Sequence, residues 1–279
     1  MRSPKGRRSN MPSVVSKDGT RIGYDREGQG PPLILVDGAM CYRDSGPARP
    51  LAKLLAPHFT VFTYDRRGRG ESTDTPPYAV EREVEDIDAL IQGALIQEAG
   101  GSAFVYGISS GAALAMEAGR RLPGIRKLAL YEAPFIVDAT HSPLPENFRA
   151  QLQEFVATNH RGDAVKLFMR RVGVPAFGIF MMQWMPVWKK LTAIAHTLVY
   201  DITIIQDYSR GTPLPAQSWA GVRLPVLVAD GGKSPTWMRN AMQAWAKVIP
   251  NATYRTLPGQ THMLKPQAIA PVLIEFFNS

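Results

Sequence analysis

The chain has 279 residues, 45% of them hydrophobic and 20% charged, a composition that fills the core of one domain with a large insertion, or of two small domains. Its single cysteine, Cys41, excludes an internal disulfide and a cysteine-based metal site, and it suits a reducing, cytoplasmic setting. The net charge is +8, but Arg2, Lys5, Arg7 and Arg8 sit in the first ten residues with no acid among them, so half of the basic balance belongs to the tail.

That opening stretch, "MRSPKGRRSN", has no apolar run and does not read as a secretory signal. Residues 1–11 are expected to form a disordered, solvated basic tail. No apolar stretch approaches the length of a membrane span, and neither a membrane nor a nucleic acid is expected as a partner. "SVVSKDGTRIGYDREG" (13–28) predicts a hairpin turning at Asp18-Gly19, and "PLILV" (32–36) a strand buried on both faces. A helix is predicted near Ala48–Leu55 and a strand at 59–65. Residues 79–100 predict a long amphipathic helix, with Val84, Ile87, Leu90, Ile91 and Leu95 at helical spacing and Glu81, Glu83 and Glu85 in its first turns.

A strand at 102–106 leads into "VYGISSGAALA" (105–115) and then a helix running to Arg121. Gly107, Ser109 and Gly111 spell G-x-S-x-G. Between a strand and a helix this spacing lifts the central hydroxyl above the sheet, while the flanking glycines remove side chains that would collide with their neighbours. Ser109 is the candidate nucleophile; the competing reading is a tight strand-to-helix turn with an idle serine. Strands follow at 127–131 and 224–229, then a helix at Trp237–Val248, a strand at "ATYRTL" (252–257) and a terminal helix at Pro266–Phe277. The alternation predicts an α/β fold with a mostly parallel, doubly wound sheet whose site lies at the carboxyl ends of the strands. Between residues 136 and 219 the alternation stops and the segment reads as helices. Within it, "VPAFGIFMMQWMPVWKK" (174–190) is too densely apolar for one stripe, which fits a buried interface with the core or a substrate-pocket wall.

At this point the chain resembles an α/β-hydrolase with a helical cap, over nearly everything after residue 12. "LILVDGAM" (33–40) sits where the family has its oxyanion loop, "YDRRGRGES" (64–72) resembles the turn after the next strand, "GISSG" (107–111) the nucleophile elbow, and "PGQTHMLKP" (258–266) the histidine loop before the terminal helix. The resemblance implies a core of residues 12–135 and 220–279, and a cap of residues 136–219. It also turns RRGRG, which alone suggests RNA binding, into a structural loop. Of five histidines, only His262 lies in such a place; His58, His141, His160 and His196 read as helix-end or cap residues.

The third member of the implied triad departs from the family. Its usual acid position, three residues after Gly231 in "VLVADGGKSP", is Ser234, which cannot stabilise an imidazolium as a carboxylate does. Glu132, directly after "KLALY", is the preferred acid, a layout similar to that of certain dehalogenases and macrolactone lactonases; Asp230 is the alternative acid, or a carboxylate that braces its loop through the N–H of Gly232 or Lys233. The common His-Gly of the oxyanion loop is Asp37-Gly38 here. The resemblance makes the N–H groups of Ala39 and Ser110 the oxyanion donors, and leaves Asp37 to turn away or pair with Arg43 or Arg66. Cys41 reads as a buried small hydrophobe.

The implied chemistry is hydrolysis of an ester or lactone of a small apolar substrate through an acyl-enzyme, by a monomer or homodimer. Met40, Phe180, Trp184, Met185 and Trp188 are expected to bind the substrate. A serine at the elbow argues against chemistry that uses a carboxylate nucleophile, and neither a phosphate-binding loop nor a dinucleotide-binding glycine motif occurs, so no cofactor and no metal are expected. A perhydrolase or C–C hydrolase on the same triad, and a non-catalytic protein that binds an apolar ligand, remain open alternatives.

Overall fold

The computed structural model describes residues 12–93 and 101–279; the predicted basic tail, and the last turns of the helix predicted to reach residue 100, lie outside the described residues. Eight strands form one sheet in the order β1-β2-β4-β3-β5-β6-β7-β8. They are β1 (Ser13–Val15), β2 (Arg21–Glu27), β3 (Pro32–Val36), β4 (Thr60–Tyr64), β5 (Ala103–Ile108), β6 (Ile125–Tyr131), β7 (Val226–Gly231) and β8 (Ala252–Leu257). The β1–β2 hairpin and its join to β4 are antiparallel, and every other pairing is parallel.

The central strands read as apolar runs because both of their faces are covered. Ile34, Val105, Leu128, Leu130, Val226 and Val228 enter one apolar cluster, while Leu33, Leu35, Tyr106, Ala129, Tyr131 and Leu227 enter the other. Consecutive residues of a strand point to opposite faces, so the period-2 alternation splits one apolar run between two cores. One layer holds α1 (Ala48–Leu55) and the terminal helix α10 (Pro266–Asn278). The other holds α2 (Val80–Gly93), α3 (Ser110–Arg121) and α9 (Thr236–Val248). Between β6 and β7 lie α4 (Phe148–Ala157), α5 (Arg161–Arg171), α6 (Ala176–Met182), α7 (Pro186–Ala193) and α8 (Leu198–Ile205), with no strand among them.

The loop after β4 anchors these parts through charge. Arg66, Arg67 and Arg69 are each at most 2% exposed, so none of them presents a free cation to a solvent-borne partner. Arg66 donates to both Glu83 oxygens, at 2.6 and 2.8 Å, and to Asp201 Oδ1 at 2.6 Å. Arg69 donates to Asp201 Oδ2 at 2.7 Å, and Arg67 to both oxygens of Asp86 and to Asp18 of the hairpin turn. Asp201 comes from α8, so one carboxylate ties the inserted helices to a loop of the sheet.

Asp37, just beyond β3, takes the first of its two expected courses: it turns away, with Oδ2 packed against Gly46, and does not pair with either arginine. Arg43 is taken by Asp25 and Asp65, and Arg66 reaches only the Asp37 backbone carbonyl, at 3.4 Å. Among the described residues no cation forms an ion pair with the buried carboxyl, and burial pushes it up to about 7. Among the described residues, no helix is long and apolar enough to cross a membrane.

Two stability tests follow from these buried charges. Removing one partner of a buried ion pair costs about 3–5 kcal/mol. Asp201→Asn leaves Arg69 without its carboxylate and Arg66 with Glu83 alone, and differential scanning calorimetry should show a melting temperature lower by on the order of 10 °C. Asp37 has the opposite sign. Its pKa is raised on folding, so its contribution is complete below the unfolded carboxylate pKa and is lost as pH rises through about 7. Asp37→Asn should therefore match the wild type near pH 4 and exceed it above neutrality, by on the order of 4 kcal/mol at most. Chemical denaturation at both pH values reads the difference.

Candidate active site

At the end of β5 the chain must turn sharply into α3, and Ser109 takes the turn with φ 59° and ψ −132°. The glycines beside it are there for space. A Cβ on Gly107 would lie 2.4 Å from the Gly111 carbonyl oxygen, and one on Gly111 would lie 2.3 Å from the Val36 carbonyl oxygen. Gly38 is also crowded, since a Cβ there would come within 2.8 Å of the Ser109 Cβ. The Ser109 N–H donates to the Tyr131 carbonyl at 2.9 Å, fixing the elbow to β6.

Glu132 follows β6 directly and also sits at positive φ, 46°. It is fully buried. Its Oε1 accepts the Gly231 N–H at 2.7 Å, and its Oε2 lies 3.0 Å from His262 Nδ1. The histidine loop is itself held to β6, because the Tyr131 hydroxyl donates to the Thr261 carbonyl at 2.8 Å. Of the two candidate acids, the structure brings Glu132 to the histidine. Asp230 points elsewhere: its Oδ2 accepts from the Tyr254 hydroxyl and lies 3.8 Å from Arg239 Nε, and burial raises its pKa. It does not brace its own loop either, since the N–H groups of Gly232 and Lys233 donate to the Leu257 and Gln260 carbonyls. Ser234, at the family's usual acid position, is buried, and its hydroxyl does not reach Glu132 or His262.

Ser109 and His262 line one cavity of about 360 Å³, together with Ala39 and Ser110. The orientation of the Ala39 N–H follows from a contact behind the loop. Arg69 Nη1 donates to the Gly38 carbonyl at 2.7 Å and to that of Cys41 at 3.2 Å. Gly38 C=O and Ala39 N–H share one trans peptide plane and point in opposite directions. The arginine that holds the carbonyl therefore turns the N–H away from itself. On the other side, Ser110 Oγ donates to Asp201 Oδ1 at 2.7 Å. Burial pushes the Cys41 thiol up to about 12, which leaves it a packing residue rather than a nucleophile.

The walls of the cavity are not those expected. Leu144, Phe168, Val172, Trp237 and Met238 supply its apolar surface. Phe180, Trp184 and Met185 lie instead on the surface of α6 and the turn after it, 54%, 79% and 53% exposed, and Trp188 is half-buried against the main core. Met40 is buried at positive φ (61°) and is not part of the lining. No residue of the apolar segment 174–190 is part of the lining, whose wall from the inserted helices comes from the end of α5 instead. His141, read from sequence as a helix-end or cap residue, also lines the cavity, stacked on Trp237 with ring centroids 4.7 Å apart. Arg171 lines it too, at the end of α5. A signal existed: Phe168, Arg171 and Val172 recur at i, i+3 and i+4, one helix face.

Residues 33–272 match the model of the alpha/beta hydrolase family. The chain is 30% identical over 155 residues to the uncharacterized hydrolase YraK of Bacillus subtilis (strain 168), a match covering 54% of this chain and 55% of that protein, so the chain spans about half the length of the curated relative it matches. An alpha/beta hydrolase from Sphaerobacter thermophilus DSM 20745 has the same structure at TM-score 0.84 and 48% identity, over 95% of this chain and 100% of that one. An enol-lactonase from Burkholderia xenovorans LB400 shares the fold at TM-score 0.68 and 21% identity, over 96% of this chain and 100% of that one. With a family match over most of its length and a mostly parallel eight-stranded sheet, the chain belongs to the alpha/beta hydrolase family.

Proposed function

We propose that the protein is a serine hydrolase that cleaves an ester or lactone through an acyl-enzyme, with Ser109 as nucleophile, His262 as general base and acid, and Glu132 as the acid that orients it. One observation carries the reading: the buried Glu132 carboxylate lies 3.0 Å from His262 Nδ1, and His262 shares its cavity with a serine held at the strained apex of the elbow. With Nδ1–H donated to Glu132, the imidazole leaves Nε2 free to take the Ser109 proton as Oγ attacks the acyl carbon. The negative oxygen of the tetrahedral intermediate is held by the N–H groups of Ala39 and Ser110, whose loop and helix start are fixed before substrate arrives. His262 then protonates the leaving oxygen, an alcohol or the ring-opened end of a lactone. Water, deprotonated by the same nitrogen, releases the acid.

Leu144, Phe168, Trp237 and Met238 exclude water from the acyl group, and helices α4–α8 act as the lid that supplies part of this wall. The lone, packed Cys41 supports a cytoplasmic setting.

Ser109→Ala should lower kcat on a 4-nitrophenyl ester by on the order of 10⁴-fold or more. Ser110→Ala should keep most of the rate and lose about 2 kcal/mol of stability, because its bond goes to the charged, buried Asp201. Comparable rate losses in the two variants would remove the nucleophile assignment. A second series separates the acids. Glu132→Gln keeps the shape and removes the charge that stabilises the imidazolium, so kcat/KM should fall by on the order of a hundredfold or more. Asp230→Asn should stay within about threefold of wild type in rate, its effect being on melting temperature. A folded but inactive Asp230→Asn beside a near-normal Glu132→Gln would move the role to Asp230.

A further inference from the structure

The cavity contains a charge that the proposed hydrolysis does not use. Arg171 ends α5 and lines the same space as Ser109 and His262. Its Nη2 donates to the Ser142 carbonyl at 2.7 Å, and among the described residues no carboxylate pairs with it. The contrast with Arg66, Arg67 and Arg69 is direct, since each of those is matched by buried carboxylates. Burial is the sole cause that lowers the proton affinity of Arg171, as expected of a cation taken partly out of water without a counter-ion. A guanidinium stays charged at neutral pH, so the cost is relieved by an anion rather than by proton loss. His141 faces the same space. It is stacked on Trp237, and burial followed by the Arg171 charge lowers its pKa, so at neutral pH it offers a neutral N–H donor next to the cation. Around these two groups the walls are apolar: Leu144, Phe168, Trp237 and Met238.

We propose that Arg171 and His141 form an anion subsite in the Ser109 cavity, and that the substrate is an ester or lactone with an apolar body and a free carboxylate. The guanidinium fork grips a carboxylate with two parallel N–H bonds, and the imidazole N–H adds a third donor. The apolar walls surround the chain between that carboxylate and the acyl carbon at Ser109. The subsite makes the preferred substrate amphipathic, where the sequence pointed to a purely apolar one. The proposal rests on the reading of Ser109 and His262 as the hydrolytic centre, and a binding measurement separates the two.

The kinetic test compares mono-(4-nitrophenyl) glutarate with 4-nitrophenyl hexanoate, which puts an ethyl group where the glutarate ester has its carboxylate. The wild type should favour the glutarate ester in kcat/KM by about tenfold or more, as a charge-assisted contact implies. Arg171→Leu should abolish that preference, chiefly through KM, and Arg171→Lys should restore part of it, because it keeps the charge and loses the fork. Melting curves accompany each variant, and Arg171→Lys carries the test if Arg171→Leu does not fold. The binding test titrates glutarate into the Ser109→Ala protein by calorimetry, with and without Arg171→Leu. Arg171-dependent binding supports the subsite even if neither ester is turned over, an outcome that would overturn only the hydrolase reading. Equal losses on both esters in Arg171→Leu, no glutarate preference in the wild type, or glutarate binding that does not depend on Arg171 would each overturn the subsite.

Discussion

The Asp201 carboxylate, buried between Arg66 and Arg69, is the contact on which the geometry of the site depends. It accepts from Arg66 at 2.6 Å, from Arg69 at 2.7 Å and from Ser110 Oγ at 2.7 Å. Through Arg69 it reaches the carbonyls of Gly38 and Cys41, and through Ser110 the first turn of the helix that follows the elbow. Both proposed oxyanion donors, Ala39 N–H and Ser110 N–H, are therefore aimed by one group that comes from α8, in the inserted helices. Buried charges recover their desolvation cost only when every partner is present. The arrangement is stable when complete and costly when any member is missing, which suits a loop that must not relax when an oxyanion forms beside it.

Backbone strain gathers at the same place. Met40 (φ 61°), Ser109 (φ 59°) and Glu132 (φ 46°) lie at or just beyond the carboxyl ends of three adjacent strands, β3, β5 and β6. Positive φ in residues with a Cβ costs on the order of 1–3 kcal/mol each, and it persists only where neighbours over-determine it. For two of them the restraint is visible: the Ser109 N–H is held by the Tyr131 carbonyl and the Glu132 N–H by that of Ala229. The sheet ladder thus continues one residue past each strand and holds the strained residue by its own hydrogen bond.

What could be read from the sequence was what local patterning encodes. "PLILV" and the helix at Ala48–Leu55 fall where period and apolarity place them, because a strand covered on both faces and a helix covered on one carry their burial in the residue order. The place of Glu132, the proposed acid, was legible too, as the first residue beyond a strand beside the elbow. Contacts that join distant segments were not. Arg66 and Arg43 are local candidates for Asp37, but their carboxylates come from Asp25, Asp65, Glu83 and Asp201, the last of them 135 residues from Arg66. The pocket wall failed for a related reason. Apolar density in 174–190 says that the segment seeks cover, not which face receives it, and α6 leaves Phe177 and Phe180 outward. The lining comes from Phe168 and Met238, on amphipathic helices whose orientation is set only by tertiary packing.

The position of the proposed acid follows from sheet geometry. β6 and β7 are neighbours in the parallel sheet, paired from Leu128–Val226 to Tyr131–Ala229, so their carboxyl ends lie about 4.8 Å apart. A carboxylate on either end can approach a histidine on the loop after β8, and moving it from one strand to the next shifts its origin by little more than the length of a side chain. Alternation decides which residues qualify. Gly231 accepts no side chain, since a Cβ there would lie 2.4 Å from the Gln260 carbonyl oxygen, and Asp230 is turned to Tyr254 and Arg239. Glu132 sits one residue beyond its strand, with a φ that swings the longer side chain across to β7. There the Gly231 N–H fixes one oxygen and leaves the other for His262. With that N–H as a fixed donor, the glutamate needs no residue at position 234 to hold it in place.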